Sequence, residues 1–329
     1  DMHPSHVVAE AARLQPLAEQ VLTRYDVIFK EISHLATHSN VLYRIVSSNG
    51  RQLVMRVASP EANTRTNMQY EVDWLVALNR DTNLDVVAPI PTASGRLVTE
   101  ITDPLSGLLR PCVLFTWVPG SPVGINAGTF AYRLLGRMSA SLQLHGKTWL
   151  PKDPKELRHW NKVFYYGDDL DPVVIFDARY EHFFSHSRRA TIDRAIPVVE
   201  KVLDETWRSQ DVQIVHGDLH EWNVHMVGTR LYAFDFEDVM MATPAQDVAV
   251  SLYASRTSSR VKDITRAFRE GYEEYRPWPI KSQEQLDGIH AARQITLMNF
   301  AARTLPMDEA ADYVDRVMPW LEAYLARYG

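Results

Sequence analysis

The stretch of sequence that decides the fold reads His216-Gly-Asp-Leu-His-Glu-Trp-Asn223, and Phe234-Asp-Phe-Glu237 follows it after a short gap. Each segment adjoins a short β-rich run, and a Gly-Thr turn lies between them, as in a β-hairpin. A strand, a polar loop and a tight hairpin in this order are expected to bring Asp218, Asn223 and Asp235 together at one end of a small sheet.

These three side chains have the chemistry that phosphoryl transfer requires. The reaction needs metal ions to neutralise the phosphates, and a carboxylate that orients the attacking hydroxyl and takes its proton. Mg²⁺ prefers oxygen ligands and is usually held by one or two carboxylates together with phosphate oxygens. Asn223 and Asp235 can supply such oxygens, which makes Asp218 the candidate catalytic base. His216 is expected to pack and hydrogen-bond so that the loop is held in place.

The same segment resembles the protein-kinase catalytic loop His-Arg-Asp-Leu-x-x-x-Asn, with Gly217 in place of the arginine. His-Gly-Asp-Leu-His-x-x-Asn is the form found in the aminoglycoside phosphotransferase and choline kinase superfamily, and the stretches 234–238 and 244–249 are similar to that superfamily as well. The resemblance covers roughly residues 25–300 and looks closest to the bacterial stress-response kinase and homoserine-kinase-like branches. It implies that Asp235 binds metal and that Asp247 helps to hold a helical lobe together.

The resemblance also implies an α+β, protein-kinase-like two-lobed fold, and the order of predicted elements agrees with it. Helical and β-rich periodicities alternate before Pro119-Gly120 and are mainly helical after it. The predicted elements are a helix over 5–24, a hairpin over 40–57, a helix over 62–80, strands over 96–101 and 111–118, helices over 131–144 and 190–209, strands over 212–216, 223–227 and 231–236, and helices from 247 onward. We therefore expect a nucleotide-binding lobe over 1–117 and a helical catalytic and acceptor-binding lobe over 118–329.

The first lobe should contain a cation that anchors the phosphates of ATP. Kinases carry a lysine on the third strand, which pairs with a glutamate of the next helix. Here Arg56 occupies the strand and Glu71 the helix, and no lysine is present in that strand. Arginine is a permanent cation that can grip phosphate through two N–H groups, so the role can survive. The departure leaves room for an altered nucleotide preference or for low activity.

Other nucleotide contacts are expected at the ends of the β-rich lobe. The glycine-rich loop is replaced by residues 32–40, whose small polar residues can offer backbone N–H groups to phosphate. Asn40 resembles the corresponding loop residue of small-molecule phosphotransferases. Thr116 and Val118, at the joint between the lobes, are predicted to contact adenine. Glu237 stands where protein kinases carry the glycine of Asp-Phe-Gly, which favours the small-molecule branch.

The sequence leaves the acceptor open. Asp168, Asp169 and Asp171 form an acidic cluster that can attract a cationic acceptor, or else they belong to a solvated loop before Pro172. The first hypothesis is an ATP- and Mg²⁺-dependent kinase of a small-molecule hydroxyl, such as an aminoglycoside, choline or homoserine. A Ser/Thr protein kinase of the stress-response type and a nucleotide-binding pseudokinase are the alternatives.

Composition narrows the class of protein further. Of the 329 residues, 46% are hydrophobic, which is ordinary for a globular protein. The net charge of −6 argues against nucleic-acid binding. The lone Cys112 cannot form an internal disulfide and is expected to be buried in a reducing cytoplasm. No run of about 18 apolar residues predicts a membrane span. His216 and His220 lack a third ligand, so zinc is not expected, and the oligomeric state stays open.

Overall fold

The computed structural model describes residues 4–60, 63–167 and 170–329. Its β-rich first part contains α1 Pro4–Leu22, β1 Phe29–Thr37, β2 Asn40–Ser47, β3 Gln52–Ala58, α2 Arg65–Asp81, β4 Pro89–Ile90, β5 Thr99–Thr102, β6 Leu109–Thr116 and β7 Ser121–Pro122. Its mainly helical second part contains α3 Thr129–Gly146, α4 His186–Ser209, β8 Gln213–Val215, β9 Val224–Val227, β10 Arg230–Ala233, β11 Met240–Ala242, α5 Pro244–Leu252, α6 Val261–Glu273, α7 Gln283–Thr304 and α8 Met307–Tyr328. The predicted order of a β-rich part followed by a helical part is confirmed.

The first part is an antiparallel sheet in the order β1-β2-β3-β6-β4, with β5 also paired to β6. Successive side chains of a strand point to opposite faces of the sheet. In the central strand β3, Leu53, Met55 and Val57 pack into the apolar cluster that includes α1. Arg56 therefore faces the other side of the sheet, where α2 lies.

The second part surrounds two short ladders. β7 pairs with β9, so the segment that joins the two parts is hydrogen-bonded to the β9–β10 hairpin. β8 pairs with β11 and is followed by residues 216–223, the predicted catalytic loop. Helices α4, α7 and α8 enclose a second apolar core together with α5. The hairpin and the catalytic loop consequently lie between the sheet and the helices.

Helix α2 is attached to the helical part by a buried tryptophan, Trp74, as well as by Tyr70. The indole Nε1 of Trp74 donates to Nδ1 of His145 at 3.0 Å, and Nε2 of His145 lies 2.9 Å from Asp81 at the end of the same helix. The Trp74 ring stacks on Trp149 with a centroid distance of 6.3 Å and meets Phe236 edge-on at 5.4 Å. A fully buried side chain thus joins α2 to α3 and to the loop that follows the hairpin.

Several predicted boundaries differ from the structure. Residues 32–40 were expected to be a loop, yet β1 continues to Thr37 and leaves only a two-residue turn before Asn40. The strand expected over 231–236 ends at Ala233, because Asp235 has a φ of 56° that does not fit a strand. Strands β7 and β11 were not predicted, since each has only two or three residues. Across the described ranges, none of the helices combines the length and apolar character needed to cross a bilayer.

Candidate active site

A cavity of about 770 Å³ opens between the β-rich part and the helical part. Three of the predicted site residues, Asn40, Asp218 and Asp235, line it. The predicted pair Arg56 and Glu71 is buried beside it. Asn223 donates to Asp218 at 2.9 Å, so the structure brings six of the predicted residues to one region, although they come from both parts of the chain.

The catalytic loop leaves β8 through a glycine that no other residue can replace without strain. Gly217 has a φ of 81°, and a Cβ on it would lie 2.4 Å from the carbonyl oxygen of Asp238. His216 before it is buried, accepts from the backbone N–H of Asp218 through Nδ1, and donates through Nε2 to the carbonyl of Phe234, both at 3.1 Å. Burial lowers the pKa of His216 to about 4, so the ring is neutral and holds the loop.

The carboxylate of Asp218 is surrounded by donors. Its Oδ1 accepts from Nη2 of Arg293 at 2.7 Å, and its Oδ2 accepts from Nδ2 of Asn223 at 2.9 Å. Nε2 of His220 lies 3.4 Å from Oδ1. Burial by itself would raise the pKa of Asp218, but His220 and Arg293 together hold it well below its usual value. Asp218 is consequently an anion fixed in direction, as an orienting base requires.

Asp235 ends the hairpin in an unusual backbone conformation. It is the one non-glycine with a positive φ among the residues that the structure describes, and aspartate tolerates this region better than most residues. The backbone N–H of Phe234 donates to the carbonyl of Asn223 at 3.1 Å, which fixes the two chain segments together. Burial, followed by the nearby carboxylate of Glu237, raises the pKa of Asp235 well above its usual value. This accumulation of half-buried carboxylates favours a bound cation.

Glu237 connects the hairpin end with the sheet. Nδ2 of Asn40, the first residue of β2, donates to its Oε1 at 2.6 Å, and Nη1 of Arg56 lies 3.9 Å from the same oxygen. Burial would raise the pKa of Glu237, but Arg56 and the hydrogen bonds lower it below its usual value. Two residues predicted to contact phosphate therefore meet one carboxylate at the edge of the cavity.

Arg56 and Glu71 form the predicted pair. Nη1 and Nη2 of Arg56 donate to Oε1 and Oε2 of Glu71 at 2.5 and 3.0 Å, and both side chains are almost completely buried. The guanidinium also lies over the ring of Phe115, 4.8 Å from its centroid. Desolvation works against the charge of Arg56, but Glu71 and then Glu237 raise its pKa above the usual value. The cation is therefore permanent and fixed by a two-point contact.

The two predicted adenine contacts lie outside the cavity lining. The backbone N–H of Thr116 donates to the carbonyl of Ala88 at 2.9 Å, and its hydroxyl accepts from the N–H of Ala88 at 3.0 Å. Val118 packs against the apolar core at the joint. The role of both residues in adenine binding stays a prediction.

Several cavity residues were missed because they belong to no local motif. Arg158 lies over the ring of Tyr166 at 4.2 Å, the hydroxyl of Tyr166 donates to Asp238, and Nη1 of Arg158 is 3.5 Å from the same carboxylate. Asp171 from the predicted acidic cluster is bound by Arg303 at 3.1 Å. The other two members of that cluster, Asp168 and Asp169, lie outside the described residues.

No three His, Cys, Asp or Glu side chains are grouped to hold a metal ion within 4–60, 63–167 and 170–329. Both nitrogens of His216 have hydrogen-bond partners, and the absence of zinc at His216 and His220 stays a prediction. The predicted Asn223 and Asp235 pair contains only one carboxylate. Such a pair suits Mg²⁺, whose remaining ligands are phosphate oxygens and water.

Asp247 holds the catalytic loop in place through hydrogen bonds. In the first turn of α5, its Oδ1 accepts from the N–H of Gly217 at 3.0 Å and its Oδ2 accepts from Nε2 of Gln143 at 3.3 Å. These contacts join the catalytic loop to α5 and α3. The resemblance implied such a role for Asp247 in holding the helical lobe together. Burial raises the pKa of Asp247 to about 6.

We expect Asp247→Asn to change how stability depends on pH. Because the folded-state pKa lies above the unfolded value, the folded protein gains a proton as the pH falls through 6, while the unfolded chain does not. The ionised form therefore costs stability at pH 7, by up to about 3 kcal/mol, and this cost diminishes toward pH 4. Urea unfolding at pH 7 and 5 should show the wild type gaining stability relative to Asp247→Asn at the lower pH. A difference that is the same at both pH values would contradict the assignment.

Comparison with known proteins agrees with this geometry. The model of the phosphotransferase enzyme family matches residues 31–278. Amicoumacin kinase of Bacillus subtilis (strain 168) is 25% identical over 262 residues, which cover 76% of this chain and 68% of that protein. An uncharacterised protein of Synechocystis is 24% identical over 270 residues, covering 80% and 71%.

Solved structures show the same fold. A microcompartment-associated aminopropanol kinase superposes with a TM-score of 0.79 at 22% identity, covering 96% of this chain and 98% of that one. An amicoumacin kinase in complex with AMP-PNP, Ca²⁺ and Ami superposes with a TM-score of 0.70 at 19% identity, covering 98% and 96%. The protein-kinase-like fold is therefore confirmed. Because the family model spans well over half of the sequence, including the catalytic loop, the chain belongs to the phosphotransferase enzyme family.

Proposed function

We propose that the protein transfers the γ-phosphate of ATP, with Mg²⁺, to a hydroxyl group of a small-molecule acceptor. The observation that carries this proposal is the convergence of Asp218, Asp235 and Glu237 on one cavity beside the buried Arg56–Glu71 pair. A fixed carboxylate, a candidate metal ligand and a permanent cation are the parts that phosphoryl transfer uses. All three side chains of the predicted catalytic set, Asp218, Asn223 and Asp235, are present, which argues against a pseudokinase.

Asp218 accepts the proton of the acceptor hydroxyl while the hydroxyl oxygen attacks the γ-phosphorus in line. The new O–P bond forms while the bond from the γ-phosphorus to the β,γ-bridging oxygen breaks, and ADP leaves with that electron pair. Arg56, held by Glu71, supplies positive charge beside the phosphates, and Asn40 contributes a donor at the same edge of the cavity. Thr116 and Val118, at the joint between a lobe over 1–117 and a lobe over 118–329, remain the proposed adenine contacts.

Asn223 and Asp235 would hold Mg²⁺, which when bound neutralises charge on the phosphates. The residues fit this ion. Asp235 is half-buried, and desolvation together with nearby carboxylates raises its pKa, so that a divalent cation would relieve the repulsion. The side-chain hydrogen bonds of Asn223 use Nδ2, which leaves Oδ1 as the ligand atom.

A small molecule fits the acceptor site better than a protein does. A volume of about 770 Å³ is within the range of small-molecule sites, about 300–1,000 Å³. The relatives whose names state an activity, amicoumacin kinase and aminopropanol kinase, are named for small molecules. The proposal is tested by following ATP consumption with Mg²⁺ across aminoglycosides, amino alcohols, hydroxy acids, sugars and a Ser/Thr protein. Turnover on the protein alone, or on no acceptor at all, would contradict it.

We expect Asp235→Asn to weaken metal binding selectively. The amide keeps the shape of the side chain but removes the anionic ligand, so the Mg²⁺ concentration for half-maximal turnover should rise by at least about tenfold. Turnover titrated with Mg²⁺ in a chelator-treated preparation measures this shift. Asp193→Asn, an exposed carboxylate of α4, is the matched control. An unchanged Mg²⁺ titration in Asp235→Asn would remove this residue from the metal site.

A further inference from the structure

Arg293 of α7 occupies a position that the reaction scheme above does not use. Its Nη2 donates to Oδ1 of Asp218 at 2.7 Å, while its Nε is buried and has no hydrogen-bond partner. The guanidinium is 5.6 Å from the centroid of Tyr253, whose ring also packs against Arg256 at 3.8 Å. A preformed aromatic and cationic wall therefore holds Arg293 next to the catalytic carboxylate.

Among the buried polar atoms of the cavity lining, N–H donors without a hydrogen-bond partner outnumber acceptors without one. Two of the lining carboxylates already have donors, since Asp171 is bound by Arg303 and Asn299, and Asp238 by Tyr166 and Arg158. Buried N–H groups without a partner occur on three lining residues, at Nε of Arg158, Nε1 of Trp160 and Nε of Arg293, against one such acceptor, Oδ1 of Asn40. Buried donors are almost always paired in folded proteins. A ligand that supplies oxygen acceptors fits this wall better than an ammonium group does.

We propose that the acceptor is a hydroxy acid whose carboxylate is bound by Arg293 while its hydroxyl contacts Asp218. This inference rests on the proposed function and names its substrate class. Guanidinium groups bind carboxylates through two parallel N–H donors, and Arg293 has an unused Nε as well as Nη2. When the acceptor carboxylate replaces Asp218 as the partner of Arg293, Oδ1 of Asp218 becomes available to the acceptor hydroxyl. Binding of the correct acceptor thereby completes the site.

The short distance between Arg293 and Asp218 limits the size of the acceptor. Because Arg293 and Asp218 are only 2.7 Å apart, the hydroxyl and the carboxylate of one molecule must lie close to each other. A hydroxyl and a carboxylate separated by a few carbon atoms meet this condition. Long polysaccharides or large antibiotics without a neighbouring carboxylate do not.

The experiment compares acceptors that differ only in the carboxylate. L-homoserine is paired with 3-amino-1-propanol, L-serine with ethanolamine, and 4-hydroxybutanoate reports the carboxylate without an amine. Affinity is measured by calorimetry with an ATP analogue and Mg²⁺ present, so that this readout does not depend on the turnover that tests the proposed function. For at least one pair we expect the wild type to bind the carboxylate-bearing member at least tenfold more tightly.

Variants then assign the preference to one side chain. Arg293→Met should remove the preference for the carboxylate member, Arg293→Lys should keep part of it, and Arg316→Met, an exposed arginine of α8, should leave it unchanged. For acceptors that are turned over, KM for the carboxylate member should rise more than kcat falls. Tighter binding of the amino alcohols, equal loss of both members in Arg293→Met, or no binding of any hydroxy acid would overturn the inference. Acceptor-dependent turnover in those cases would leave the proposed function intact.

Discussion

Asp218→Asn is expected to lower kcat for acceptor-dependent ATP consumption by about 10²–10⁴-fold. The amide has nearly the shape of the carboxylate, but it cannot take the proton of the acceptor hydroxyl. Nucleotide binding should persist, because Arg56 and Glu71 form no hydrogen bond or ion pair with Asp218. Coupled measurement of ADP release, together with the rise in unfolding temperature on adding nucleotide, separates the two effects.

The matched control for this variant is Asp263→Asn, which changes an exposed carboxylate of α6 that pairs with Arg266. It should retain full activity, since exposed ion pairs contribute little. If Asp218→Asn kept activity within about threefold of the wild type, proton transfer would have to use another group. A loss of nucleotide binding in the same variant would instead point to a collapsed loop, because Arg293 would then lack its carboxylate partner.

Arg56→Met is expected to destabilise the protein by about 3–5 kcal/mol, because it leaves Glu71 as an unpaired charge in the interior. It should also weaken nucleotide binding, since the phosphates lose their permanent cation. Urea unfolding at pH 7 measures the first effect, and titration with an ATP analogue measures the second. The comparison variant is Arg133→Met, which breaks an exposed pair with Glu274 and should cost less than about 1 kcal/mol.

Two further variants distinguish the pair from its separate members. The double variant Arg56→Met/Glu71→Met should be less destabilised than the sum of the single changes, because no charge is left unpaired. Arg56→Lys restores the residue that kinases usually carry and should retain nucleotide binding, although a lysine cannot reproduce the two-point contact with Glu71. Additive losses in the double variant would mean that the two side chains act independently.

The catalytic loop and its hairpin could be predicted from sequence because their chemistry is local. A strand, Gly217, the proposed base and a proposed metal ligand follow one another closely in the chain, so their spacing predicts that they lie together. The Arg56–Glu71 pair could also be predicted, because the two residues are only 15 positions apart, on a strand and on the helix that follows it. The contact between Asn40 and Glu237 was not, because 197 residues separate them.

Arg293 illustrates why the remainder of the site stayed hidden. It lies 75 residues from Asp218 in a long helix that has no distinctive motif. Its place is fixed by how α7 packs on α5, for example through Nε2 of His290 and the carbonyl of Ala249 at 2.8 Å. Such contacts arise from tertiary packing, which periodicity does not encode. The same applies to Arg158, whose partner Tyr166 belongs to a segment without regular structure.

The attachment of Trp74 to His145 and Trp149 bears on how the enzyme is regulated. Many protein kinases are switched off when the helix that carries the glutamate partner rotates outward and the ion pair opens. Here that rotation would remove a buried indole from its contacts with α3, with Trp149 just after α3, and with the loop that follows the hairpin. We therefore expect a constitutive enzyme, whose flux follows its rate of synthesis and the concentration of its substrates and owes nothing to an upstream signal.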